Sequence, residues 1–160
     1  GDNCLFMIGV HIAHDCVVGN RVIMSNQATL AGYVTVGDYA IIGGLSAVHQ
    51  RVRIGAYAMI GGMSPVDKDV IPYGLVTGER AHLVGLNLVG LKRNSFSRET
   101  IQNIREVYDV LFVDRESKLV PLNVRVTELV KNYKNVKDIM TMLSFLQYDT
   151  DRPICQPLEN

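Results

Sequence analysis

The chain has 160 residues, 48% of them apolar, and its sixteen Lys and Arg balance sixteen Asp and Glu. That length and apolarity exclude disorder along the chain, and the zero net charge excludes a whole-molecule field for nucleic acid or an anionic membrane, so any anionic partner must be met by a local patch. No run approaches the roughly 18 apolar residues of a membrane span. Three scattered cysteines, Cys4, Cys16 and Cys155, lack the spacing of a disulfide framework or a zinc site, which fits a reducing, cytoplasmic setting. The opening GDNCLF has neither an initiator Met nor a basic leader and reads as the interior of a longer protein.

From Phe6 onward an apolar residue recurs every six positions: Phe6, Ile12, Val18, Met24, Leu30, Val36, Ile42, Val48, Ile54, Ile60 and Val66. Four places after each stands a second row, Val10, Cys16, Val22, Ala28, Val34, Ala40, Ser46, Val52, Ala58, Ser64 and Val70, all small or β-branched. A helix would space its apolar residues by three and four. A period of six instead predicts short strands joined by turns, a β-solenoid over residues 1–73 with both rows facing inward. Gly19, Gly37, Gly43, Gly55 and Gly61, each just after an anchor, mark corners where a side chain would clash or φ must be positive.

The hexad resembles the hexapeptide-repeat acyltransferases. The resemblance implies a left-handed parallel β-helix with three six-residue sides per coil, so residues three hexads apart stack at about 4.8 Å. His14, Gly32 and Gln50 then form one column. His49 lies above Ala31 and Ala13 in the next column, and His11 sits at the corner before the His14 strand.

Residues 74–94 form a connecting segment, and residues 95–160 an α-helical domain with a loose tail. Ser97 is placed as an N-cap with Glu99 in the first turn and Phe96 able to staple onto Ile101. Ile101, Ile104, Tyr108 and Leu111 make one apolar stripe. A second helix starts near Pro121 and carries Leu122, Val126, Leu129 and Tyr133; a third runs from about Val136 to Leu146 with Ile139, Leu143 and Leu146 inward. The end, YDTDRPICQPLEN, has two prolines and no period.

The stretch HIAHDC concentrates titratable groups in an otherwise apolar run. Since the inward rows are already filled, His14, His49 and Gln50 must point outward or lie at turns. Outward histidines can be solvated surface, metal ligands or a general base. Zinc needs every ligand within about 2.1 Å, whereas His14 and His49 stand nearly two coils apart, roughly 9–10 Å, so no metal is assigned. Imidazole changes charge near neutral pH and can take a proton from a sugar hydroxyl, with a carboxylate fixing its tautomer. Asp15 is the candidate carboxylate, or else a turn residue bonding its own backbone.

HIAHDC, NQATLAG, AIIGGLSAVHQ and GLNLVGLKR, in that order and followed by helices, resemble the UDP-N-acetylglucosamine O-acyltransferases of lipid A biosynthesis. The resemblance implies a cytoplasmic homotrimer that moves a 3-hydroxyacyl chain from acyl carrier protein to the sugar 3-hydroxyl of UDP-N-acetylglucosamine, in the cleft between subunits and without a cofactor. It makes His14 the general base, Asp15 its orienting partner and Gly32 the source of an oxyanion-binding N–H. His11, His49, Gln50, Asn87 and Arg93 match substrate-contacting positions. Gly62 matches the residue that ends the acyl pocket and sets chain length.

Three departures stand against that pattern. Tyr33 occupies the place of a histidine, Asn94 that of a second arginine after Arg93, and the N-terminal coils with an acid and a lysine for the sugar nucleotide are absent. Tyr39, Leu45 and Tyr57 are outer apolar residues expected to favour a trimer. The rival functions are a CoA-dependent acetyltransferase of a small acceptor and a non-catalytic trimeric fragment.

Overall fold

In a computed structural model, which describes residues 1–148, 150 and 152–158, the chain forms two compact units, Gly1–Asn87 with Thr150–Asn160, and Leu88–Asp149. No helix among the described residues is long and apolar enough to cross a membrane.

The first unit is a parallel β-solenoid built from two-residue strands, as the hexad predicts: β1 (Leu5–Phe6), β2 (His11–Ile12), β3 (Val17–Val18), β4 (Ile23–Met24), β5 (Thr29–Leu30), β6 (Thr35–Val36), β7 (Ile41–Ile42), β8 (Ala47–Val48), β9 (Arg53–Ile54), β10 (Met59–Ile60) and β11 (Pro65–Val66). They stack into three sides: β1, β4, β7 and β10 on the first, β2, β5, β8 and β11 on the second, β3, β6 and β9 on the third. Leu5 pairs with Ile23 and His11 with Thr29, so a coil takes eighteen residues. The second residue of each strand is the anchor. From Val22 to Val70 both inward rows are buried, with Met24, Leu30, Ile42 and Ile60 among the largest side chains fully removed from water. Each such aliphatic side chain contributes roughly 1.5–3 kcal/mol by burial.

From Asp15 to Met63 the corners share one wiring. The second residue adopts a left-handed backbone although it is not glycine, as at Asp15 (φ 58°), Tyr33 (61°), Arg51 (62°), Tyr57 (59°) and Met63 (58°). Its N–H donates to the carbonyl of the corner one coil away: Tyr33 N to His14 O (3.1 Å), Arg51 N to Gly32 O (3.0 Å), Met63 N to Gly44 O (2.9 Å). The sequence alternatives for the corner glycines are decided here. Positive φ belongs to these non-glycine residues, and the glycines just after the anchors are required by space. A Cβ on Gly37 would stand 2.5 Å from Ala56 N, and one on Gly43 2.5 Å from Gly62 N.

The last coil is two residues short: Ile54 bridges Val70 and Met59 pairs with Leu75, offsets of sixteen. The solenoid then ends in β12 (Gly74–Thr77), still parallel to β10, and an antiparallel return β13 (His82–Leu86) that covers its edge. Sequence periodicity ended at Gly74 and did not reveal this hairpin. In place of the expected loose tail, residues 153–156 lie against the third side: Asp69 N donates to Pro153 O, Cys155 N to Asp69 O, and Leu83 N to Gln156 O. Asp69 is fully buried, and its carboxylate accepts from Arg53 N (2.8 Å) and Arg53 Nε (2.6 Å). Cys155 is buried in the same place, where desolvation pushes its thiol up to about 12.

Tyr39, Tyr57 and Tyr73 form a ladder on the corners between the third and first sides, the first pair stacked at 4.7 Å and 7° and the second at 5.8 Å. Tyr39 and Tyr57 therefore spend their faces on each other inside the chain, and of the expected outer residues Leu45 is the one left open, beside Met63 on the next coil.

The second unit is helical: α1 (Leu88–Arg93), α2 (Arg98–Tyr108), α3 (Leu122–Tyr133) and α4 (Lys137–Gln147). Ser97 is the N-cap of α2, its Oγ accepting from Thr100 N at 3.0 Å. Asn94, read as a departure, caps α1: its Nδ2 donates to Gly90 O, and with Ser95 at φ 62° the bonds Phe96 N to Leu91 O and Ser95 N to Lys92 O complete a Schellman ending. Helix α2 runs on into a π-turn, Asp109–Val113, whose carbonyls at Val110 and Leu111 accept from Arg125 Nη1. Ile101, Ile104, Tyr108, Leu111, Val126, Leu129, Ile139 and Leu143 are buried as the sequence predicts, Val107, Phe112 and Met142 join them, and the expected Leu122, Tyr133 and Leu146 are only half-buried.

The glycines divide into two kinds, and stability should separate them. Gly37→Ala forces a methyl into neighbouring backbone and should cost about 1–3 kcal/mol, the range for overpacking. Gly62→Ala meets nothing closer than Gly44 O at 3.3 Å and should stay within about 1 kcal/mol. Urea melts of the two variants against wild type check this.

Candidate functional site

The second side of the solenoid gathers most of the candidate residues. Its outward residues are His11, Thr29, Ala47 and Pro65, the first residues of β2, β5, β8 and β11, followed in the next column by Ala13, Ala31 and His49. One flanking row of corners holds His14, Gly32 and Gln50; the other holds Gly44 and Gly62. Most of the sequence candidates thus share one face. His11 belongs to strand β2 and not to a corner, because the corner before β2 is taken by Ile8 and Gly9.

At the first corner His14 and Asp15 are adjacent in sequence, which would normally point them apart. The left-handed φ of Asp15 turns its carboxylate back, and Oδ2 accepts from His14 Nδ1 at 2.8 Å. An ionised carboxylate can only accept, so Nδ1 carries the hydrogen and Nε2 is left with a lone pair. Both side chains are largely open, 70% and 59% exposed. The same backbone conformation makes the corner and brings the Asp15 carboxylate to His14.

Gly32 lies one coil away against the imidazole. A Cβ there would stand 2.7 Å from both Nε2 and Cε1 of His14, so the free nitrogen sits beside a residue with no side chain. The Gly32 N–H makes no hydrogen bond among the described residues, because in each corner the first residue supplies the carbonyl and the second the N–H. The Tyr33 and His14 rings pack T-shaped, centroids 5.2 Å apart at 89°. Arg51, on the next coil, places its guanidinium carbon 5.5 Å from the Tyr33 centroid.

Between the two rows of corners runs a groove of about 520 Å³ lined by Thr29, Ala31, Ala47, Pro65 and His49, with Glu79 and Arg80 of the terminal hairpin at its border. Short side chains make it, since a longer residue at Ala31 or Ala47 would fill it. His49 donates through Nδ1 to Gln50 O at 3.3 Å. At the far corner Gly62 and Gly44 leave the rim bare, for a Cβ on either would make only ordinary or slightly close contact.

Two candidates fall elsewhere. Asn87 is 8% exposed, and its Nδ2 donates to Tyr57 O at 2.9 Å while its N–H donates to Tyr73 O, fixing the end of β13 onto the tyrosine corners. Arg93 is exposed at the last turn of α1 in the helical unit, next to Lys92. No group of three His, Cys, Asp or Glu side chains suited to a metal ion occurs among the described residues. Arg51 and the alanine groove were not singled out from sequence, although stacking at eighteen residues would have placed Arg51 above Tyr33.

Comparison with known proteins adds the following. A family model described as UDP N-acetylglucosamine O-acyltransferase, domain 2, matches residues 69–155, and a bacterial transferase hexapeptide model (six repeats) matches residues 1–32. A Caulobacter vibrioides protein named acyl-[acyl-carrier-protein]–UDP-N-acetylglucosamine O-acyltransferase is 48% identical over 157 residues, 98% of this chain and 58% of its own length. The Thermodesulfovibrio yellowstonii protein of the same name is 49% identical over 156 residues, again 98% and 58%. Among solved structures, the UDP-N-acetylglucosamine acyltransferase of Campylobacter jejuni superposes with a TM-score of 0.89 at 36% identity, covering 98% of this chain and 59% of that one. The chain thus spans a little over half the length of the relatives it matches.

The tautomer is directly observable. Long-range ¹H–¹⁵N spectra of the imidazoles at pH 8 should show His14 protonated on Nδ1 alone. Asp15→Ala should move it to the mixture typical of a free imidazole; an unchanged His14 pattern in that variant would mean the pair does not form in solution.

Proposed function

The chain belongs to the UDP-N-acetylglucosamine O-acyltransferase family, and from that membership we propose that it carries the catalytic face of an enzyme that moves a 3-hydroxyacyl chain from acyl carrier protein to the sugar 3-hydroxyl of UDP-N-acetylglucosamine, the opening step of lipid A biosynthesis. The observation that carries the reading is the juxtaposition on one face: a His14–Asp15 pair with Nε2 beside Gly32, at the rim of a groove whose opposite rim is glycine.

In this reading His14 Nε2 takes the proton of the sugar hydroxyl as its oxygen attacks the thioester carbonyl. Asp15 holds the ring and stabilises the imidazolium that forms. The carbonyl oxygen, now an oxyanion, is met by the Gly32 N–H, and the absence of a side chain there permits the approach. Collapse of the intermediate expels the carrier's thiolate, which receives the proton back from His14. No cofactor or metal takes part. His11, His49 and Gln50 contact substrate along the same face. For Asn87 and Arg93 the support is family membership alone. The acyl chain lies in the groove, and Gly62 at its far rim sets the length accepted.

The working form we propose is a homotrimer in the cytoplasm with the site between subunits. It is supported by the openness of the His14–Asp15 pair, which lacks a second wall, and by exposed Leu45 and Met63 along the glycine rim, 57% and 74% open. The three free cysteines agree with a reducing compartment. Left-handed winding of the solenoid and the standing of residues 95–160 as a separate small α-helical domain are likewise inferred from the family.

Two measurements test the reading. In any preparation that turns over, His14→Ala should cost about 10²–10⁴ in kcat with acyl carrier protein as donor, the range for losing acid–base help. Near-normal turnover in that variant, or equal use of acetyl-CoA by wild type, would remove the assignment. For chain length, Gly62→Met should shift preference among graded hydroxyacyl donors toward shorter ones. At about 0.8 kcal/mol per buried methylene, loss of several carbons of pocket changes selectivity by well over tenfold. An unchanged profile with an intact fold would leave Gly62 as a turn residue.

A further inference from the structure

Above the His14–Asp15 corner the same column ends in a second feature that the reaction does not use. Arg51 sits over Tyr33, its Cζ 5.5 Å from the ring centroid, and its side chain makes no ion pair or hydrogen bond among the described residues. On the next coil the returning terminal segment brings in Arg152. Its Nη1 donates to Asp67 O and its Nη2 to Gln50 O, each at 2.9 Å, which fixes the guanidinium. The two arginines face one cleft of about 380 Å³, completed by Thr150 and Pro153. Two like charges on one cleft repel unless an anion lies between them. One guanidinium rests over an aromatic ring at cation–π distance and the other is held by two carbonyls, so each has a contact that is not a carboxylate.

We propose that Arg51 and Arg152 form a phosphoryl-binding subsite next to the His14 corner. Each guanidinium keeps several N–H donors in a planar fork after its structural contacts are counted, the geometry that accepts phosphate oxygens pairwise. The column places this subsite about two coil spacings, roughly 9–10 Å, from Asp15. That is within reach of a small molecule whose reacting end sits at His14 and whose phosphate lies further along. The identity of the ligand rests on the acyltransferase reading, in which both the sugar nucleotide's diphosphate and the phosphopantetheine arm of the carrier carry such a group; the subsite itself rests on the two arginines.

Calorimetry at constant ionic strength tests it, using the 160-residue chain with inorganic pyrophosphate, UDP-N-acetylglucosamine and 4′-phosphopantetheine as probes. Pyrophosphate should bind wild type, and Arg51→Gln and Arg152→Gln should each weaken it by about tenfold or more, with Arg51→Lys between, since it keeps the charge without the fork. Arg98→Gln, an exposed arginine of α2, should leave binding unchanged. An equal loss in UDP-N-acetylglucosamine affinity assigns the subsite to the acceptor's diphosphate, and an equal loss in phosphopantetheine affinity assigns it to the donor arm. Pyrophosphate binding that needs both arginines, with neither natural ligand bound, would keep the subsite and count against the acyltransferase reading. No pyrophosphate binding by wild type, the same affinity in the arginine variants, or an equal drop in Arg98→Gln would overturn the subsite, while retained UDP-N-acetylglucosamine binding would leave the reaction reading standing. If Arg152→Gln loosens the terminal segment, seen as a lowered melting temperature, Arg51→Gln decides alone.

Discussion

The solenoid depends on one repeated hydrogen bond, from the N–H of each corner's second residue to the carbonyl of the corner one coil away. A left-handed backbone costs an L-residue roughly 1–2 kcal/mol, and here residues as different as Asp15, Tyr33, Leu45 and Arg51 all adopt it. The bond offsets the cost because a straighter chain would lose the link between that N–H and the carbonyl one coil away. The corner also fixes the chain's pitch, so a residue and its neighbour one coil away are held in contact. Stacked tyrosines on one row of corners and bare glycines on another are both consequences.

That constraint also builds the His14–Asp15 pair. Adjacent residues of an ordinary strand point to opposite faces, so His14 and Asp15 would not meet. The left-handed Asp15 is what turns its carboxylate onto Nδ1. The same rule fixes what stands near Nε2. The residue one coil away is Gly32, whose carbonyl is spent on Arg51 and whose N–H is left over, so catalysis would draw on a donor that the architecture supplies and does not consume. Tyr33, in place of the histidine expected by resemblance, packs T-shaped against the imidazole and lies under Arg51.

Where the repeat breaks, other forces take over. The last coil loses two residues, and a buried Arg53–Asp69 pair stands at the defect. Removing one partner of such a pair leaves an uncompensated charge and costs about 3–5 kcal/mol, so the defect is held together as a unit. Asp69 also gives its backbone to residues 153 and 155, which tie the end of the chain to the solenoid and carry Arg152 to the cleft above Gln50.

The sequence by itself determined the period, the two inward rows from Val22 to Val70, the Ser97 cap and the apolar stripes of the helices. These follow from local rules: which residues tolerate burial, and which side chains can satisfy a helix's first N–H groups. His14, Asp15 and Gly32 were marked only through the family resemblance, which supplied the eighteen-residue coil and the roles. Only the tertiary structure decided that the anchor glycines are needed for space and not for φ, since that depends on the distance to the next coil, as Gly37 against Ala56 shows. It alone placed His11 on a strand, turned Asn94 into a helix cap, buried the Asn87 amide against Tyr57, and paired an apparently loose tail with Asp69. Each of these rests on a partner far away in the chain, or on a backbone angle that any residue type can adopt when its hydrogen bond is good enough, and neither leaves a local mark in the sequence.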